Sequence, residues 1–515
     1  MSSTPPACST PAAPPVQPGA DSQKFSPRDL RILMVGLMLA LLMAALDQTI
    51  VAVALPRISS ELQGFELLAW VVSGYLVAAA VSTPIYGKLG DLYGCRVMLL
   101  WAIWIFLLAS VACALATSMP MLVAARILQG IGGGGLFAVT QAAVADVVSP
   151  RDRGRYQGYF SITYATSSIS GPMLGGFLTQ YLSWQWIFWI NLPLGAAALF
   201  ITRNSLHRLS VPRIRSKIDY LGALLLCTGL AAGMTAISRI GQGVAWLTGS
   251  NVILYMVALT MLGLFVLQQY RSDQPIFPLS LFRIPVIALC MTILFFSFSQ
   301  LIAMGILVPL RAQMVAGMAP HQSAILLVTL SLGSPFGAFL GGTLIGRTGK
   351  YKPAMLLGAC LLPLALASFA FTDPSSMLWS GITLAVVGFS IGIQLPTSLV
   401  AVQHAAPRAH IGIATASTTF ARQLGASIIV AGITAVLMGA LSNTAVGASV
   451  ATSGAQMMRD LVGASAGMAP ADRLHMTSIA ADAFQRTILV CSALTLISLA
   501  LAWRLPNHIL DDRSK

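Results

Sequence analysis

The chain has 515 residues, of which 56% are hydrophobic and 9% charged, with a mean hydropathy of +0.80. Soluble domains carry about 25% charged residues, so this chain cannot cover itself with a polar surface and lipid must be its main solvent. The excess of 30 Lys and Arg over 16 Asp and Glu would point to nucleic acid in a soluble protein; here it reads as membrane topology, and no nucleic-acid partner is expected.

The chain opens on "STPPACSTPAAPPVQPGA", a Pro-, Ala- and Ser-rich stretch that reads as a disordered cytoplasmic tail over residues 1–30. The apolar run behind it is too long for a signal-peptide core and is expected to stay as an anchor. About 20 mainly apolar residues cross a bilayer. Spans are predicted at 32–55, 68–87, 97–116, 120–146, 157–180 and 184–202, then at 219–238 and 251–270. The last six fall at 285–310, 323–345, 353–371, 377–403, 411–440 and 486–503. The fold class is therefore an all-α polytopic membrane protein with fourteen transmembrane helices.

With the N-terminus inside, 22 of the 30 Lys and Arg fall on the inner side, six on the outer side and two within helices. Both termini are then cytoplasmic. The expected organisation is a six-helix bundle over 31–202, then a cytoplasmic linker and two additional helices over 203–270. A second six-helix bundle over 271–505 and a cytoplasmic tail over 506–515 complete it. Residues 441–485 read as a mobile loop on the outer side, with a short amphipathic helix as the alternative.

Charges inside apolar runs are the candidates for function. Asp47 interrupts "LMAALDQTIVAVALP" (42–56), where an acid at the centre of a span costs about 2.5–3.5 kcal/mol on insertion scales. Counting the helical rise from Pro56 puts it roughly 13 Å inside the outer end, and counting from Pro120 puts Arg126 roughly 9 Å below the same boundary. Contact between the two is expected. Burial raises the pKa of an acid and a nearby arginine lowers it, so such a group can be tuned toward neutrality. Proton coupling, a structural ion pair and contact with a cationic substrate are the three readings of Asp47. Arg422 is a further intramembrane charge.

The seven cysteines are scattered, without a C-x-x-C pair, and read as small packed hydrophobes; no disulfide, metal site or cofactor is expected. The six histidines form neither H-x-x-x-H nor H-E-x-x-H, which argues against an integral-membrane enzyme.

Three motifs carry a resemblance. The segment "GKLGDLYGCRVML" (87–99) resembles the loop signature of the major facilitator superfamily at Gly87, Leu89, Asp91, Gly94 and Arg96. A degenerate copy, "GGTLIGRTGKYK" (341–352), has Gly346 in place of the acid; two copies suggest homologous halves. The segment "LVAARILQGIGGGG" (122–135) is similar to the family's helix-4 motif, with Gly132–Gly135 read as close packing. The third, "SSISGPMLGG" (167–176), is similar to the antiporter motif through Gly171, Pro172, Gly175 and Gly176. Its proline and small residues predict a bend at a tight interface between the halves. With "LDQTIVAVALP" (46–56), "WQWIFWINLPLG" (184–195) and "FARQLGASI" (420–428), the chain resembles the fourteen-helix drug:proton antiporter branch over about residues 30–505.

That resemblance implies two six-helix bundles with two inserted helices, and export of amphipathic organic compounds from a cell inner membrane in exchange for protons. Asp47 and Arg126 would be the coupling pair. Asp91, bonding to a neighbouring helix N-terminus or a basic side chain, would form a cytoplasmic latch with Gly87, Gly94, Arg96 and Asp146. A dedicated exporter of one metabolite, siderophore or antibiotic is the alternative within transport. In a double-membraned bacterium the 441–485 loop would face a periplasmic adaptor and outer-membrane channel.

Overall fold

The computed structural model describes residues 26–507, apart from 63–66, 206–218, 242–246, 273–274, 276–278, 319, 408–409 and 446–469. Among the described residues fourteen long helices run in chain order. The first six are α1 (Pro27–Leu62), α2 (Leu68–Tyr93), α3 (Cys95–Ala114), α4 (Met119–Val147), α5 (Pro150–Tyr181) and α6 (Asn191–Ser205), the last entered through one helical turn at Trp186–Trp189. Two more, α7 (Tyr220–Gly241) and α8 (Gly249–Arg271), pack on each other. A 3-10 turn at Leu279–Arg283 leads into α9 (Pro285–Met314), α10 (Pro320–Thr348), α11 (Lys352–Phe371), α12 (Met377–Ala405), α13 (Ile411–Ala445) and α14 (Pro470–Arg504).

Lipid offers no hydrogen bonds, so a spanning segment must satisfy its own backbone, which a helix does. Even Pro84, Pro309, Pro335, Pro363 and Pro396 lie inside helices. At Pro363 the hydroxyl of Ser492 donates to the proline's own carbonyl at 2.8 Å. Buried apolar side chains form one core mainly within α1–α6, running from Leu33 to Ala198 and joined by Ala416 of α13, and another within α9–α14, running from Ala303 to Cys491. Among the described residues twelve helices are long and apolar enough to span a membrane. The remaining two, α5 and α13, are the helices that each set lays against the other, α5 on α10 and α13 on α2.

Several element ends differ from those read in the sequence. Pro56 does not end α1, which continues to Leu62 with Arg57 Nε donating to Glu61 Oε1 at 2.8 Å. The 441–485 loop contracts, because α13 runs to Ala445 and α14 already starts at Pro470. Its core, 446–469, lies outside the described residues, as do the tail up to residue 25, most of the 203–219 linker and the tail from 508. Arg311, one of the six basic residues counted on the outer side, is a buried residue of α9. It donates to Phe369 O at 2.7 Å and Thr372 O at 2.6 Å, satisfying the last carbonyls of α11.

The largest local correction concerns 87–99. This is no loop: α2 stays helical through Asp91 to Tyr93, and Gly94 alone, at φ 87°, turns the chain into α3. Gly349, at φ 64°, ends α10 in the same way. An L side chain at Gly94 is strained whatever the space around it, so Gly94→Ala is expected to destabilise the fold by about 1–3 kcal/mol. Thermal unfolding in detergent reads this as a lowered Tm.

Candidate functional site

Asp47 and Arg126 meet inside the first helix set. Arg126 Nη1 donates to Asp47 Oδ2 at 2.5 Å, and both residues are 1% exposed. The pair is embedded in a polar cluster from four helices. Gln129, one turn along α4, donates through Nε2 to Asp47 Oδ1 at 2.9 Å and to Ser110 Oγ of α3 at 2.8 Å, while its Oε1 accepts from Arg126 Nη1 at 2.6 Å. Asn191, at the start of α6, donates to Asp47 Oδ1 at 3.1 Å and to Ser110 Oγ at 3.3 Å. Ser110 in turn donates to Phe106 O at 2.9 Å. The guanidinium also reaches the backbone of α2, Nε to Val71 O at 3.1 Å, and lies over the Tyr75 ring with its centroid 4.3 Å away.

The two carboxylate oxygens are not equivalent. Oδ1 accepts two neutral amide bonds, whereas Oδ2 faces the cation. Oδ2 is bound by Arg126 of α4, and Oδ1 by Gln129 of α4 and Asn191 of α6, so the carboxylate ties α1 to both helices. Sequence reasoning gave the two charges but not Gln129, Asn191 and Ser110. The signal for Gln129 was present, three residues after Arg126 and so on the same helix face. Asn191 stands in "WINLPLG", and Ser110 is one hydroxyl in an apolar helix with nothing to mark it.

The second cluster lies at the end of the molecule where α2 meets α3. Asp91 caps the N-terminus of α13, accepting from Gly412 N at 2.6 Å on Oδ1 and Ile413 N at 2.9 Å on Oδ2. Close approach makes this possible. A Cβ on Gly87 would lie 2.8 Å from Gly412 O and would collide with the Ala416 side chain. The matching glycine of the second copy, Gly342, approaches α5, where a Cβ on Gly154 would lie 2.8 Å from Gly342 Cα. Gln403 Nε2 adds a bond to Gln141 O at 3.3 Å. These contacts seal the two helix sets together at the Asp91 end.

Of the other residues expected there, Asp146 is exposed at the end of α4 within electrostatic reach of Arg153, and Arg153 itself folds onto the α4 carbonyls at Ala145 (2.6 Å) and Val148 (3.1 Å). Arg96 borders a small surface depression beside the exposed Trp101 and Trp104. Asp91→Ala removes a charge-assisted cap across the seam and is expected to weaken that closure by about 1–2 kcal/mol, with Asp91→Asn intermediate. Thiol labelling of a cysteine placed in the seam reports the change.

The antiporter-like motif sits elsewhere than its composition suggests. Gly171 is pressed against Thr49, and a Cβ on Gly175 would lie 2.9 Å from Ile50 O. Thr49 Oγ1 donates to Ser167 O at 3.0 Å. The tight interface of this run is therefore with α1 inside the same helix set, two to three residues from Asp47. Gly176 has open space around it, and Pro172 lies within α5 between the two packed glycines. The glycines of α4 do pack closely: Gly130 and Gly134 approach the carbonyls of Tyr75 and Ala79 on α2, and a Cβ on Gly132 would lie 2.7 Å from Phe106 N on α3.

Arg422 stands on α13, half-buried, with its guanidinium 5.0 Å from the Phe298 ring of α9. An apolar cavity of about 830 Å³ lies on the other side of α13, between it, α7, α8 and α9, with Phe295, Phe420 and Leu424 in its wall. No charged residue lines that cavity.

Residues 37–430 match the Major Facilitator Superfamily. The chain is 35% identical over 421 residues to an uncharacterized MFS-type transporter of Mycobacterium tuberculosis, a match covering 81% of this chain and 61% of that relative's length. It is 30% identical to the multidrug transporter protein MdtP of Bacillus subtilis, over 80% of this chain and 75% of that one. Among solved structures, the proton:xylose symporter XylE shares the fold with a TM-score of 0.60 at 12% identity, covering 95% of this chain and 98% of the other.

Proposed function

The chain belongs to the major facilitator superfamily, a family of membrane transporters, and from that premise we propose that it exports amphipathic organic compounds across the cytoplasmic membrane in exchange for protons. The observation that carries this reading is the buried Asp47–Arg126 pair. A buried ion pair is weak support for stability, since desolvation offsets the attraction. An acid buried at membrane depth at such cost is better explained by a charge that must come and go. The multidrug transporter of Bacillus subtilis at 30% identity supports the substrate class.

The excess of Lys and Arg on one side assigns the Asp91 end to the cytoplasm. The conformation described is then closed on the inside. In it Asp47 is buried and held by Arg126, Gln129 and Asn191. A proton arriving from the outer medium neutralises Asp47 as Arg126 withdraws toward its remaining partners, Val71 O, Gln129 and the Tyr75 ring. That step unties α1 from α4, on the stretch of α1 that the α5 glycines hold. The helix sets then rock about the seam, the Asp91 cap opens, and the site faces inward, where the proton leaves and substrate enters. An adaptor protein would meet the outer loop, whose core lies outside the described residues.

The test uses purified protein in liposomes with a neutral amphipathic dye. Asp47→Asn is expected to keep energy-independent exchange of dye across the membrane and to lose accumulation driven by a pH gradient. Gradient-driven accumulation at the wild-type level in this variant would refute the assignment.

A further inference from the structure

We propose that Arg422 is the anion-recognition group of the transport site, so that the preferred substrates are amphipathic compounds carrying a single carboxylate or comparable anionic head; this rests on the export reading above.

Three residues from both helix sets meet at one depth. Arg422 lies eleven residues into α13, roughly 16 Å from the end that Asp91 caps. Phe298 on α9 and Tyr164 on α5 lie thirteen and fourteen residues from the corresponding helix starts, roughly 20 Å in. All three are therefore near the middle of the membrane. Phe298 and Arg422 belong to the last six helices and Tyr164 to the first six, with Tyr164 in electrostatic contact with Arg422 and stacked on Phe137 at 5.6 Å. The midplane between the two repeats is where a transporter of this architecture holds its cargo.

Among the described residues no carboxylate pairs with Arg422. Its Nε–H is buried without a hydrogen-bond partner, its guanidinium lies beside the Phe298 ring, and Tyr164 is within electrostatic reach. The contrast with Arg126 is direct. That arginine has a carboxylate, an amide oxygen and a backbone carbonyl within 3.1 Å, and is 1% exposed. Arg422 remains partly accessible at the same kind of depth. Asp47 is already neutralised by Arg126, and Asp91 is occupied with the α13 N-terminus. The space between the halves therefore carries an uncompensated positive charge.

A guanidinium offers a planar fork suited to a carboxylate and a face suited to an aromatic ring. An incoming anion would satisfy the orphan Nε–H and the charge together, while Phe298 and Tyr164 receive its apolar body. A cationic head would meet like charge at this point. Cation–π support from Phe298 alone leaves the fork empty, so it explains the side chain's position but not its unpaired donor.

The experiment measures binding to the full-length protein in phosphatidylcholine nanodiscs. The probes are three versions of one nitrobenzoxadiazole-labelled lauryl chain, ending in a carboxylate, its methyl ester or a trimethylammonium. Wild type is expected to bind the carboxylate roughly 10- to 100-fold more tightly than the ester, the range of a charge-assisted bond. Arg422→Gln should bind all three alike, and Arg422→Lys should keep part of the preference. A merely structural role would weaken the three probes equally. Equal affinities in wild type, preference for the ammonium, or an unchanged carboxylate preference in Arg422→Gln would overturn the proposal. If the ammonium probe is the one driven by a pH gradient, the export reading stands and the anion assignment falls. If the carboxylate preference is present and no probe responds to the gradient, the reverse holds.

Discussion

Arg126→Leu is expected to destabilise the folded protein by about 3–5 kcal/mol, the cost of leaving one member of a buried pair without the other. Leucine replaces the cation at Asp47 Oδ2, and it also removes the bonds to Gln129 Oε1 and Val71 O. Asp47→Leu alone should cost a similar amount, because it strands the guanidinium. The double variant Asp47→Leu/Arg126→Leu should recover most of the loss, since two apolar side chains replace an ion pair at little net cost. Chemical denaturation in mixed micelles measures all four proteins. Additive destabilisation in the double variant would show that the two side chains are not energetically paired. Transport should be uncoupled in every variant, whatever its stability.

Gly342→Leu is expected to act on conformation instead. A side chain here runs into the backbone of Gly154 and Arg155, which has no freedom to withdraw while the seam is closed. Overpacking of this kind costs about 1–3 kcal/mol, and it is paid only in the state closed at the Asp91 end. The population should therefore move roughly 10- to 100-fold toward the state open at that end. Gln403, 2% exposed in the closed state, is a convenient reporter. With native cysteines replaced, labelling of Gln403→Cys by a membrane-impermeant maleimide from the Asp91 side should rise by that factor when Gly342→Leu is added. Unchanged labelling would mean that this glycine contact does not set the closed state.

The spans were legible because each requires about 20 apolar residues, a signal that survives without any knowledge of packing. Helix ends were less legible. Hydropathy marks where lipid stops, whereas a helix continues until its backbone is broken, so α1 passes Pro56 and α2 passes Asp91. Only Gly94, through its φ of 87°, turns the chain where a loop had been expected. Similar logic applies to α14, which extends sixteen residues before its apolar segment.

At the candidate site, helical rise brought Asp47 and Arg126 to one depth, and that was enough to expect their contact. Rise says nothing of azimuth across helices, so the amide of Asn191 is hidden in the sequence, whereas Gln129, three residues after Arg126, shares its helix face. The small residues at 167–176 announced a close approach without naming the partner; it is α1 at Thr49 and Ile50, not the other half. Asp91 was readable as a capping acid, but only the fold shows that the helix it caps, α13, lies more than 300 residues away in sequence.

The central claim is that the charge on Asp47 comes and goes during transport. Infrared difference spectroscopy of the reconstituted protein tests it most directly, with spectra recorded as a transported dye is added and removed at constant pH. The account predicts a change in the carbonyl-stretch band of a protonated carboxylic acid, present in wild type and missing in Asp47→Asn. The same band in both proteins, or none in an actively transporting wild type, would contradict it.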